Sequence, residues 1–229
     1  MNLSKPYPWA GLIIFIIVLL GFWPTYYGPI LAGGYEASLM IHFHNVVFMG
    51  WVLLLVTQTS LVASQRTDLH KKLGKFGIFL GVLVIVLGVA TTLAKVSKGI
   101  ADGHALEAQQ FMLIPLTNML LFSGFFSAAV IKRGKPQTHK CLITLATVSM
   151  LDAPISRMAF LGEPQNPGLL MLVWFLPIFF LLAADYIQKR KVTWLYVTGL
   201  VILLASGLRM PLSQTDAWLS IARIITGSP

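Results

Sequence analysis

An all-α polytopic bundle of about seven membrane-crossing helices is the fold this sequence predicts, and three observations carry that reading. Hydrophobic residues make up 56% of the chain and charged residues 11%, with a mean hydropathy of +0.78, outside the range of a water-soluble domain. Apolar stretches of the ~20 residues needed to cross ~30 Å of hydrocarbon recur along the chain. The connections between them are short and polar, which leaves little of the 229 residues for a domain outside the membrane.

The first apolar run, 9–31, follows Lys5 and has the layout of a secretory signal. It continues into Phe22, Trp23, Tyr26 and Tyr27, which suit an interfacial aromatic belt and not a small-residue cleavage site. It is therefore expected to stay as a helix. Further spans are expected at 37–64, 76–96, 110–131, 140–160, 168–187 and 194–210. Beyond them a capping stretch from Ser213 to Asp216 leads into Trp218, Leu219, Ile221, Ile224 and Ile225 at helical spacing. Residues 214–226 are too short to span, so an amphipathic helix lying at the outer surface is expected, with Trp218 at headgroup level. No repeat of 20 to 50 residues is visible, which makes residues 1–229 a single transmembrane domain. Gly81, Gly88, Gly124 and Gly207 read as sites of close helix approach.

The net charge of +9 does not point to nucleic acid, because the bases sit between spans and no aromatic-interleaved basic patch accompanies them. They set orientation instead. With the N-terminus in the cytoplasm, the inner loops hold 12 of the 17 Lys and Arg residues, among them Arg66, Lys71, Lys72, Lys135 and Lys140. The outer five, Lys95, Lys98, Arg157, Arg209 and Arg223, are interspersed with Glu36, Asp102, Glu107, Glu163 and Asp216. Cys141 stands alone and forms no internal disulfide.

Ionisable groups inside hydrocarbon each require a partner. In the fifth span Ser149, Asp152 and Ser156 fall on one helical face, expected to point inward, and Pro154 is expected to kink the helix. Asp152 and Arg157 are about 140° apart around the helix, so each should find its partner on another span. His42 and His44 are about 200° apart and cannot both face the core. The seven-residue spacing of His44, Trp51 and Gln58 makes a seam that selects His44 as the inward one. His70 and His139 open two helices that run in the same direction, so they share a depth near the inner surface. That pair could ligate a heme or a divalent metal, or bind lipid phosphates beside Lys71, Lys72 and Lys140.

The run His44, Trp51, Gln58, Arg66, His70 and Gly74, followed by His139-Lys140 and Arg157, resembles a loosely defined group of bacterial multipass proteins of unsettled activity. The resemblance covers about half the chain. Its Arg...His-Lys-x-Leu-Gly turn is also distantly similar to turns in transmembrane b-type cytochromes and oxidase-assembly proteins. It implies a bacterial inner-membrane protein with one b-type heme or a divalent metal in a redox or assembly role. His70 and His139 would then be heme ligands, with Asp152 and Arg157 as supporting groups that orient ligands or balance propionate charge. A metal on the outer side would draw on His44, His42, Asp152 and His104. No span carries the two widely spaced histidines of a two-heme bundle. The last span lacks the lysine of a retinal protein, and no Gly-rich phosphate loop, HExxH, CxxC or Gly-x-Ser-x-Gly is present. Besides the lipid bilayer, partner subunits of a larger membrane complex would be expected if the chain is an accessory or scaffold subunit. A solute or proton transporter built on the Pro154-broken helix is the third reading.

Overall fold

A computed structural model describes residues 5–158 and 166–227, and among these residues it is helical with no strand. The helices in chain order are α1 (Pro6–Phe22), α2 (Gly28–Leu31), α3 (Leu39–Ala63), α4 (Thr67–Ala101), α5 (Ala105–Ile131), α6 (Pro136–Val148), α7 (Asp152–Ile155), α8 (Pro167–Lys189), α9 (Trp194–Ala205), α10 (Arg209–Leu212) and α11 (Asp216–Thr226). Six segments are continuous, long and apolar enough to cross a membrane: Pro6–Leu31, Leu39–Ala63, Thr67–Ala101, Ala105–Ile131, Pro167–Gln188 and Trp194–Leu212. Only 22–33% of each apolar window is buried within the protein. Apolar faces turned outward on this scale require lipid around them. On α4 the outward stripe is Phe76, Phe79, Val82 and Val86, at helical spacing.

The expected fifth span is broken. Helix α6 ends at Val148 and α7 begins at Asp152. Between them, Met150 and Leu151 donate to Thr147 and Val148, three residues back instead of four. Pro154 is the cause: it has no N–H for the carbonyl four residues earlier, that of Met150, and its ring crowds that carbonyl. The break thus falls a turn before the proline. Trp174 on α8 donates its indole N–H to the Val148 carbonyl at 2.9 Å, satisfying an acceptor at the break. Residues 159 and 160 of the expected span, and Glu163, lie outside the described residues.

Each of α3, α4, α5 and α6 packs against the next. The ring closes where Trp51 on α3 donates to the Thr147 hydroxyl on α6 at 3.1 Å. Trp51, Phe122 and Phe126 fill its centre as a cluster of edge and stacked rings. Helices α4 and α6 are consequently diagonal across this ring and run in the same direction. Helix α1 lies against α3, α7 and α8, and α8 and α9 lie against α6. The contact of α1 with α7 is backbone against backbone, since a Cβ placed on Gly21 would stand 2.3 Å from the Pro154 carbonyl oxygen. Beyond α1 the chain makes a wide π turn at Trp23–Tyr27. From that turn Tyr26 faces His42, with Oη to Nδ1 at 2.9 Å, and Tyr27 donates to Asn45 at 3.1 Å.

Helix α11 starts at the Thr215 cap, whose hydroxyl accepts from the Trp218 amide. It packs on α5 through buried Leu219 and Ala222. Trp218 donates its indole N–H to the Gln109 carbonyl at 2.9 Å, so this ring is fastened to α5 and does not simply rest among headgroups. Trp218→Phe is expected to cost about 1 kcal/mol, the net worth of one such bond. Faster backbone hydrogen exchange confined to α11 would register it.

Candidate functional site

The end of the bundle that holds the N-terminus and the basic connections, here the basic end, brings His70 and His139 together. Helix α4 begins at Thr67, nine residues before the expected start, which places His70 in its first turn. Helix α6 begins at Pro136, which suits the first helical position, and this places His139 in the first turn as well. Because α4 and α6 are parallel, the two first turns lie at one level. The imidazole centres are 6.4 Å apart with planes crossed at 79°.

Each ring has a fixed partner for its Nδ1. The His139 Nδ1 lies 2.9 Å from the carbonyl oxygen of Ala129. That carbonyl belongs to the last turn of α5, where helix carbonyls lack intrahelical partners. A carbonyl only accepts, so Nδ1 carries the proton and the Nε2 of neutral His139 presents its lone pair. The Gln58 amide sits 2.6 Å from the His70 Nδ1, and with its nitrogen on that atom its oxygen accepts from the Gly74 N–H at 3.0 Å. Gln58 on α3 thus forms one contact with His70 and Gly74, a turn apart at the start of α4. Lys71 and Lys72 beside His70 are exposed, while the Lys140 ammonium is turned the other way, 4.2 Å over the Tyr7 ring.

The opposite end is organised around a buried ion pair. Arg209, in α10, meets Asp152, the first residue of α7, at 2.9 Å, with side-chain exposures of 9% and 17%. The Asn118 amide on α5 donates to both Asp152 oxygens at 2.8 and 3.0 Å, and its carbonyl accepts from Arg209. Arg209 also donates to Thr117 and to the Ile114 carbonyl, each at 3.3 Å. This carbonyl also accepts from the Thr117 hydroxyl at 2.9 Å, so Arg209 joins a shared acceptor. One guanidinium therefore ties the last span to α5 and α7. Arg157 is half-buried, donates to the Ala153 carbonyl and lies over the Phe22 ring at 5.1 Å.

Several expectations need correction here. Asp152 does find its partner on another span, but Arg157 meets an aromatic ring of α1 and its own helix backbone. Ser149 is buried and Ser156 exposed, because the break at Val148 shifts the helical register between them. The four outer residues proposed for a metal, His44, His42, Asp152 and His104, are not brought together. His44 faces Thr91 at 3.2 Å and stacks on Phe48, His42 faces Tyr26, Asp152 is taken by Arg209 and Asn118, and His104 borders a groove with Lys95, Glu107 and Phe111. Among the described residues no three His, Cys, Asp or Glu side chains converge. Nor can Asp152 and Arg157 support a heme at His70 and His139. Arg157 is 18 residues from His139 along the same broken span, ~27 Å at ~1.5 Å per residue.

The inward seam is as expected: His44 meets α4, Trp51 meets α6 and Gln58 meets the start of α4. Arg209 and Asn118 were not singled out by sequence. Their signal was present, since Arg209 is the one charged residue in 194–212. No family model, no curated protein and no solved structure matches this chain.

Proposed function

We propose that this multipass membrane protein belongs to the bacterial inner membrane, has its basic end in the cytoplasm, and holds one b-type heme between His70 and His139. The observation that carries this reading is the placement of two imidazoles 6.4 Å apart, one of them with Nδ1 held by a backbone carbonyl. Two imidazoles on opposite sides of one ion have ring centres ~6 Å apart when each metal–nitrogen bond is ~2.0–2.1 Å. A backbone carbonyl on Nδ1 is the usual support for an imidazole that ligates through Nε2. With no third His, Cys, Asp or Glu beside them among the described residues, the pair suits an ion whose other positions are filled by a macrocycle. A bare divalent ion would ask for more protein ligands.

When bound, a b-type heme supplies one-electron chemistry. The chain's own residues bind and orient. Ala129 fixes the His139 ring, and Gln58 governs His70. With the Gln58 nitrogen on Nδ1 the proton of a neutral His70 sits on Nε2, so ligation through Nε2 requires Gln58 to turn its oxygen to Nδ1 and give up its contacts with the Gly74 N–H and the His70 carbonyl. The positive field of Lys71 and Lys72 favours a group bearing carboxylates and an acidic partner on that side.

The test is an absorption spectrum with iron analysis on detergent-purified protein, before and after incubation with hemin. A Soret band is expected in the native protein and in His44→Ala, and its loss in His70→Ala and in His139→Ala. Native protein that stays colourless and iron-free after hemin, while remaining folded, would refute the proposal.

A further inference from the structure

We propose that the opposite end of the bundle carries a phosphate-binding site centred on Arg157, a site independent of the heme reading. Arg157 is half-buried, yet among the described residues no carboxylate stands at ion-pair distance from it. Asp152 is within electrostatic range, but its two oxygens already take Arg209 and Asn118. The other charged group within that range is a second cation, Lys95, and the imidazole of His44 is there as well. Among the described residues Asp152 is thus the one carboxylate within electrostatic range of Arg157, and it is already paired with Arg209. A guanidinium without a carboxylate at ion-pair distance in a partly desolvated place is costly, and a bound anion removes the cost.

Depth identifies the anion. The Arg157 guanidinium lies over Phe22, the neighbour of Trp23, which is 49% exposed. Tyr26, Tyr27 and Tyr35 group beside it as edge-on rings. Tryptophan and tyrosine gathered at a span's end mark the headgroup level of a bilayer, and phosphate is the anion abundant there. Guanidinium is the cation suited to it, because its planar fork gives two parallel bonds to phosphate oxygens. Among the described residues Arg157 commits a donor only to Ala153, and a guanidinium has five. Lys95 on α4 lies within electrostatic range of Arg157 but holds its ammonium 4.0 Å over the Phe111 ring, so Arg157 is the group that would make the direct contact.

A phospholipid and free inorganic phosphate share this chemistry, and the experiment separates them. Delipidated full-length protein in a neutral detergent is titrated with phosphatidylglycerol, with phosphatidylcholine and with inorganic phosphate, and occupancy is read by native mass spectrometry. Phosphatidylglycerol binding roughly tenfold weaker in Arg157→Gln, with partial recovery in Arg157→Lys, is the expected result. Competition by inorganic phosphate would assign the site to free phosphate, and its failure to compete would assign it to the lipid. Should the variants not fold, labelling of Arg157 by phenylglyoxal in the native protein gives the same answer, because a bound phosphate slows it. Equal occupancy in native protein and a folded Arg157→Gln, or labelling that neither phosphatidylglycerol nor phosphate slows, overturns the proposal.

Discussion

Arg209→Leu is expected to destabilise the bundle by about 3–5 kcal/mol, the range for removing one member of a buried ion pair and leaving the other charge without its partner. The expectation rests on burial at both ends of the pair, 9% and 17% exposed. The size of the loss is not the worth of the pair. Replacing Asp152 by leucine as well removes the stranded carboxylate, and most of the stability should return, less about 1–3 kcal/mol for an Asn118 side chain now lacking partners. Adding Asn118→Leu should recover that remainder. Unfolding equilibria in mixed detergent micelles measure all four proteins. A loss below about 1 kcal/mol in the single variant would mean that Arg209 behaves as an exposed ion pair does.

The second large effect is expected at Gly21. A Cβ there would lie 2.3 Å from the Pro154 oxygen and 2.6 Å from its carbonyl carbon, and neither atom can swing aside as a side-chain tip can. Gly21→Ala must separate α1 from α7, at about 1–3 kcal/mol by the usual cost of overpacking. Gly21→Val should exceed that, because two further methyl groups enter the same gap. The control lies on the same helix: a Cβ at Gly11 would meet nothing closer than 3.5 Å, so Gly11→Ala should be tolerated or mildly stabilising as a better helix former. Thermal denaturation of the three variants in one detergent decides the matter. Equal midpoints for Gly21→Ala and Gly11→Ala would show that the two backbones are not in contact.

How much of this was legible in the sequence follows from what lipid demands. Hydrocarbon allows no half-measures along the chain, so 9–31, 110–131 and 168–187 could be read closely from apolar length alone. Polar starts are harder: α4 begins at Thr67 and not at Phe76, because a helix continues past the membrane wherever its own hydrogen bonds and capping permit. Depth was legible too, since helix direction and distance from a span's end place His70 level with His139. Rotation about the helix axis was not. His42, His44, Asp152 and His104 were grouped by depth, and the structure turns them toward Tyr26, Thr91, Arg209 and an outer groove. Pro154 showed that the fifth span would bend, and the bend lies at its fourth-preceding carbonyl. That Asp152 needed a counter-ion followed from burial, whereas the choice of Arg209 depended on which spans are neighbours, a fact absent from local pattern.

The link between Asp152 and Arg209 also sets an order of events during synthesis. The arginine is made 57 residues after the carboxylate, a delay of about 3–11 s at translation rates of about 5–20 residues per second. Throughout that interval the broken span is a poor passenger for the insertion machinery, carrying an acid with nothing to neutralise it. Its lasting residence in the bilayer is decided by the arrival of the final hydrophobic segment, so a ribosome that stalls before codon 209 leaves behind a chain that quality-control proteases can recognise.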